Sequence, residues 1–240
     1  MKTNSFSSAT ALAMLSVTLT TSLFAQNTNL VNSATNPVPG NAKWIARHEG
    51  FVQQAKSGGI DLLFLGDSIT DWFSTKGSNV WSQYYVPRHA ANFGIAGDRV
   101  ENVLWRMNHG ELEGINPKVV VLMIGTNNKR VNTAPQIVEG ITLIVKGLRT
   151  QLPKSKILLL GIFPSGEKVD PVRDKEENIN VRLAALNDGK WVKFLDISQK
   201  FLEPDGTLSH DIMPDLLHPS EMGYEIWAKA MENTLVALMK

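Results

Sequence analysis

Four short stretches of the chain carry residue types that can do chemistry together. Gly66-Asp67-Ser68 offers a serine hydroxyl, a potential nucleophile. Ile95-Ala96-Gly97-Asp98 offers a flexible backbone amide, and Gly125-Thr126-Asn127-Asn128 offers the carboxamide of Asn127. Asp215-Leu216-Leu217-His218 sets an acid and an imidazole three residues apart. A serine nucleophile beside a His/Asp pair is a pattern of covalent catalysis. Taken singly, each stretch also reads as turn and cap chemistry, because Gly, Asp, Asn and Ser all favour such positions. His210 and Asp211, with Asp215 and His218, offer N and O ligands for a metal-dependent phosphoesterase instead. That reading leaves Ser68, Gly97 and Asn127 without a task.

The elements that would hold these stretches point to one place. Leu62 to Leu65 is a continuous apolar run closed by Gly66, the mark of a strand covered on both faces. Further strands are expected at His89–Gly94, Lys118–Gly125, Lys156–Phe163 and Val192–Ile197. Helical patterns fall at Trp44–Lys56, Ile69–Phe73 and Val80–Tyr85, and over Val100 to Met107 with Asp98 as cap. Others fall at Thr133–Leu152, with Pro135 in the first turn, at Asp174–Leu186, and beyond a Ser220 cap. Strand and helix alternate, which predicts a three-layer α/β/α sandwich on a five-stranded parallel sheet. In such a sheet the carboxyl ends of the strands share one edge, where ligands bind. Ser68 follows the first strand, Gly97 the second, Asn127 the third, and Asp215 with His218 follow the fifth. Their convergence on one rim outweighs any single motif.

Taken together, Gly66-Asp67-Ser68-Ile69, Asn92-Phe93-Gly94-Ile95-Ala96-Gly97-Asp98, Gly125-Thr126-Asn127-Asn128 and Asp215-Leu216-Leu217-His218 resemble the four blocks of the SGNH (GDSL) hydrolases. The branch of the platelet-activating-factor acetylhydrolase catalytic subunits is the most similar. Val103-Leu104-Trp105-Arg106, Asn108-His109-Gly110-Glu111-Leu112 and Gly166-Glu167-Lys168 also resemble it. The likeness runs from about residue 44 to the end, with Ala96 standing where that branch usually has glycine.

The resemblance implies a flavodoxin-like SGNH fold and a metal-independent serine esterase. Ser68 would be the nucleophile and His218 the base, with Asp215 orienting the ring and stabilising its charged form. The spacing of Asp215 and His218 lets both side chains lie on one side of a turn. The backbone N–H groups of Ser68 and Gly97 and the side-chain amide of Asn127 would form the oxyanion hole. At Gly97, glycine would allow close approach of main chain to substrate. Ile69, Thr126 and Leu217 would close the acyl pocket after about two carbons, since each methylene there is worth roughly 1–3 kcal/mol. No cofactor or metal is required.

Composition bounds the partners. The net charge is +1, and no basic stripe with interleaved aromatics occurs, so nucleic acid is not an expected partner. With no cysteine there is neither a disulfide framework nor a thiolate metal site. Residues 1–25 read as a secretory signal peptide, with Lys2, an apolar stretch from Ala9 to Phe24 and a cleavage site at Ala25. Its apolar run is short and broken by Thr, so no stable membrane anchor is expected. Residues 26–41 read as a flexible leader and 42–240 as the hydrolase domain, periplasmic or secreted. An exported esterase points to a small ester or an acetylated glycan such as xylan as substrate. A lipid esterase or lysophospholipase and a non-catalytic glycan-binding protein are the alternatives. The oligomeric state is open, a homodimer included.

Overall fold

The computed structural model describes Met1 and residues 31–240. The five apolar runs become β1 (Leu62–Gly66), β2 (Ala90–Gly94), β3 (Val119–Met123), β4 (Lys156–Leu160) and β5 (Val192–Leu195). They pair in parallel in the order β2-β1-β3-β4-β5. The register sets Gly66 level with Gly94 on one side and with Met123 on the other. The loops carrying Ser68, Gly97 and Asn127 therefore leave the same sheet edge. They do so where the strand order reverses, the crevice in which open α/β sheets take ligands.

Eight helices cover the sheet among the described residues: α1 (Ala42–Ser57), α2 (Ser68–Asp71), α3 (Phe73–Lys76), α4 (Ser78–Tyr84), α5 (Val100–Met107), α6 (Ala134–Gln151), α7 (Pro171–Leu183) and α8 (Glu221–Met239). Alternate strand residues divide between two cores. Leu63, Leu65, Phe93 and Val120 pack with Phe51, Val103, Ile141 and Ile179 of α1, α5, α6 and α7. Leu62, Phe64, Val119 and Val121 pack on the other face with Phe73, Trp81 and Trp227 of α3, α4 and α8. Each fully buried Leu or Phe of this kind contributes roughly 1.5–3 kcal/mol. The three-layer sandwich is thus the fold that the apolar pattern predicts.

Several boundaries differ from the sequence reading, each for a local reason. α7 begins at Pro171 rather than Asp174, because Asp170 caps it, accepting from the N–H groups of Val172 and Arg173 at 2.9 Å. Asp98 does not cap α5. The cap position is Arg99, whose N–H donates to Asn102 Oδ1 at 2.9 Å. The part of the 26–41 leader that is described is pinned to the domain from Asn32 onward. Asn32 Nδ2 donates to the Gln136 carbonyl of α6 at 3.0 Å, and Val38 N–H donates to the Glu101 carbonyl at 3.3 Å. Ala34 is fully buried there, because α6 carries Gly140, where a Cβ would lie 2.5 Å from the Ala34 carbonyl oxygen. The expected signal peptide, Met1 apart, lies outside the described residues. No helix among them is long and apolar enough to cross a membrane.

Candidate active site

β1 ends at Gly66 and the chain turns at once into α2, whose first residue is Ser68. Asp67 makes that turn by capping: its Oδ1 accepts from Ile69 N–H at 3.0 Å. Ser68 Oγ lies 2.8 Å from His218 Nε2, and His218 Nδ1 lies 2.6 Å from Asp215 Oδ2. Asp215 Oδ1 also accepts from the backbone N–H of His218 at 2.7 Å and of Leu217 at 3.2 Å. The acid therefore holds both the ring and the main chain of the base. The expected chain of serine, imidazole and carboxylate is present in the geometry. Such a chain can draw a proton from the hydroxyl while the carboxylate steadies the imidazolium that forms.

Asp67 and Asp215 titrate in opposite directions. Burial pushes the Asp67 carboxyl up to about 7, and its cap bond to Ile69 opposes the rise. Its second oxygen is buried without a partner. For Asp215 burial also acts upward, but the bonds from the His218 ring and backbone outweigh it and hold the carboxyl below its ordinary value.

Gly97 and Asn127 stand at the ends of the loops after β2 and β3. Gly97 has φ +86, and a Cβ built on it would meet nothing within 4 Å. Glycine is needed there for a left-handed turn, not for room. Asn127 Nδ2 donates to the Asp98 carbonyl at 2.8 Å. As the first residue of α2, Ser68 has an N–H without an intrahelical acceptor. These groups are of the kind that hold an oxyanion.

The three expected acyl-pocket residues separate. Thr126 and Leu217 line a cavity of about 620 Å³ together with Asn127, Ser165, Asp215 and Leu216. Ile69 does not line it. It is 1% exposed and packs in the core with Phe64, Phe73 and Tyr224, because α2 turns that face inward over the sheet. Tyr224 fixes this orientation by donating to the Ile69 carbonyl at 2.9 Å. The alternative metal set is not assembled. His210 Nδ1 is bonded to the Pro214 carbonyl at 2.8 Å, and no group of three or more His, Cys, Asp or Glu is placed to hold an ion among the described residues.

Two features of the site were not read from the sequence. Trp72 lies against His218, ring centroids 4.2 Å apart. Leu216, between the acid and the base, has φ +57, and its carbonyl accepts from Gly166 N–H at 2.9 Å. No glycine or Asn marks that left-handed position, so composition gave no signal for it.

The model of the GDSL-like lipase/acylhydrolase family matches residues 64–226. The alpha1 subunit of platelet-activating factor acetylhydrolase IB from Homo sapiens is 37% identical over 214 residues, covering 87% of this chain and 91% of its own. The alpha2 subunit from Gallus gallus is 37% identical over 215 residues, covering 89% and 93%. Among solved structures, a variant of Axe2, an acetyl-xylooligosaccharide esterase from Geobacillus Stearmophilus, matches with TM-score 0.60 and 20% identity over 76% of this chain and 94% of its own. That likeness concerns the fold.

Proposed function

Since the chain belongs to the GDSL-like lipase/acylhydrolase family and is a carboxylic ester hydrolase, we propose that it removes short acyl groups, acetyl foremost, from acetylated carbohydrate. The observation that carries the serine mechanism is the unbroken path from Ser68 Oγ to His218 to Asp215, 2.8 Å and 2.6 Å long. His218 Nε2 takes the hydroxyl proton as Ser68 Oγ attacks the ester carbonyl. Negative charge gathers on the carbonyl oxygen, beside the N–H groups of Ser68 and Gly97 and the Asn127 amide. As that intermediate collapses, His218 returns the proton to the leaving alcohol. Water then attacks the acyl-enzyme by the same base, releasing acid and restoring Ser68.

Three observations support an acetyl preference. Thr126 and Leu217 line one cavity together with Asn127 and Asp215. The curated relatives are named acetylhydrolases, and a fold neighbour is named an acetyl-xylooligosaccharide esterase. Carbohydrate is preferred over lipid because the N-terminal pattern is that of an exported protein. Export itself is tested by the mass of the mature chain, which should begin at Gln26. A second reading, an acetylated phospholipid, draws on the names of the relatives and on apolar Val172, Leu216 and Leu217 at the cavity.

The test is a turnover panel of acetylated xylooligosaccharides, acetylated glycerophospholipid and matched aryl esters of acetate, butyrate and octanoate, run with a fluorophosphonate label. Label on Ser68 with acetate ahead of octanoate is expected. Label elsewhere overturns the serine mechanism, octanoate ahead of acetate overturns the small pocket, and phospholipid ahead of xylooligosaccharide selects the second reading.

A further inference from the structure

Arg106 of α5 is completely buried, and every contact of its guanidinium is internal. Nη1 donates to the Phe93 carbonyl at the end of β2 at 2.8 Å, and to Glu111 Oε1 and Oε2 at 2.7 and 2.8 Å. Nη2 reaches the Gly66 carbonyl at the end of β1, at 3.4 Å. Nε lies 3.0 Å from Asp98 Oδ2, an ion pair whose geometry falls short of a hydrogen bond. One cation thus spans the strand ends that lead to Ser68 and to Gly97.

Asp98 extends that hold to the third loop. Its Oδ1 accepts from Trp44 Nε1 at 2.5 Å, so the side chain is gripped from α1 and α5 at once. Its main-chain carbonyl accepts from Asn127 Nδ2. A carbonyl oxygen only accepts, so the group facing it must be the NH₂ of Asn127 and not its oxygen. That choice fixes the orientation of the carboxamide and leaves the second N–H of the same nitrogen for another acceptor.

A buried ion pair adds little stability over well-packed apolar residues of the same volume. What the planar guanidinium supplies is fixed direction to several acceptors together. On this ground we infer that Arg106 and Asp98 are positioning residues that orient the Asn127 amide toward the substrate oxyanion, an inference that rests on the oxyanion role proposed above. Neither residue touches substrate. They act through the Asp98 carbonyl.

A double-mutant cycle on an acetyl aryl ester tests this. Trp44→Phe, Asp98→Asn and Arg106→Lys are made alone and in an Asn127→Ala background, with thermal melts to establish folding. In the otherwise native chain, Asp98→Asn and Arg106→Lys should each lower kcat about 10-fold with KM held within about twofold, the signature of an interaction made in the transition state. Trp44→Phe should lower kcat about threefold, because it removes a single donor from Asp98. In the Asn127→Ala background all three losses should shrink below about twofold, since the group they orient is gone. Losses of equal size in both backgrounds, or losses carried by KM, overturn the inference. If Arg106→Lys fails to fold, the Trp44→Phe cycle decides alone. An unchanged kcat in Asn127→Ala overturns the oxyanion role itself, and this inference with it. A crippled Asn127→Ala with additive cycles overturns only the positioning.

Discussion

The two ends of the Ser68–His218 hydrogen bond are built in different ways. The nucleophile end is rigid: Asp67, Ser68 and Ile69 are all buried, held by a strand terminus below and by Tyr224 behind. The base end is a loop segment. The Asp215 side chain is 53% exposed, and Leu216 sits in a left-handed conformation tied to Gly166 by one backbone bond. The same residue type responds accordingly, Asp67 moving up and Asp215 down from the ordinary carboxylate value. The difference teaches that adjacency to the chemistry does not assign a role. Asp67 is nearest to the nucleophile in sequence and serves the turn, whereas Asp215, bonded to a base 150 residues from Ser68, serves the proton.

Substitutions at the two ends should break apart in size. Ser68→Ala should lower kcat by about 10⁵-fold or more, measured with the acetyl aryl ester, because the covalent route is lost. Asp215→Asn should cost only about 10²–10³-fold, less than for a fully buried triad acid, since water reaches the open side of this carboxylate. Equal losses at both positions would contradict the contrast.

Stability against pH should separate the two aspartates by sign. Asp67 binds its proton more tightly folded than unfolded, so its contribution is favourable below its ordinary value of 3.8 and is lost as pH rises to about 7. Asp67→Asn should therefore gain on the native chain between pH 4 and 8, by up to the order of 4 kcal/mol, read from denaturant midpoints at each pH. Asp215 is the reverse: its contribution is present above 3.8 and is lost as pH falls through its depressed folded value. Parallel slopes for Asp67→Asn and Asp215→Asn would refute the assignment.

Ile69 and Leu217 sharpen the contrast at smaller scale. Ile69→Ala should destabilise by about 3 kcal/mol through an internal cavity and leave acyl-chain preference unchanged. Leu217→Ala should barely move the melting temperature, while narrowing the acetate-over-butyrate ratio by about 1 kcal/mol, several-fold in kcat/KM. A preference shift from Ile69→Ala would restore it to the pocket.

Sheet, helices and rim were legible because the buried strands are continuous apolar runs and their ends carry Gly, Asp, Asn and Ser. Side-chain direction within one turn was not. Ile69 and Leu217 are both apolar neighbours of a reacting residue, and only the packing of α2 under α8 tells them apart. The task of Asp98 was hidden for another reason. A cap is a local event that the sequence can suggest, whereas its real partners, Trp44 and Arg106, come from two separate helices. Asp170-Pro171 is a readable cap for α7, but the apolar pattern of that helix starts further on. Residues 32–38 look like a linker by composition, yet Asn32 and Ser33 use their polar atoms to bridge onto α6 and Asn132.

That last attachment has a consequence for the order of assembly. The bond from Asn32 to Gln136 joins positions 104 apart in the chain. During synthesis from the amino end, Val38 can meet Glu101 of α5 first, whereas the bond from Asn32 must wait until α6 has been made, and closing so long a loop costs entropy that later contacts must return. The notch left by Gly140 receives Ala34 only once α6 is in place. Asn32 and Ala34, near the start of the domain, thus reach their final places only after α6, from the middle of the chain, has been made.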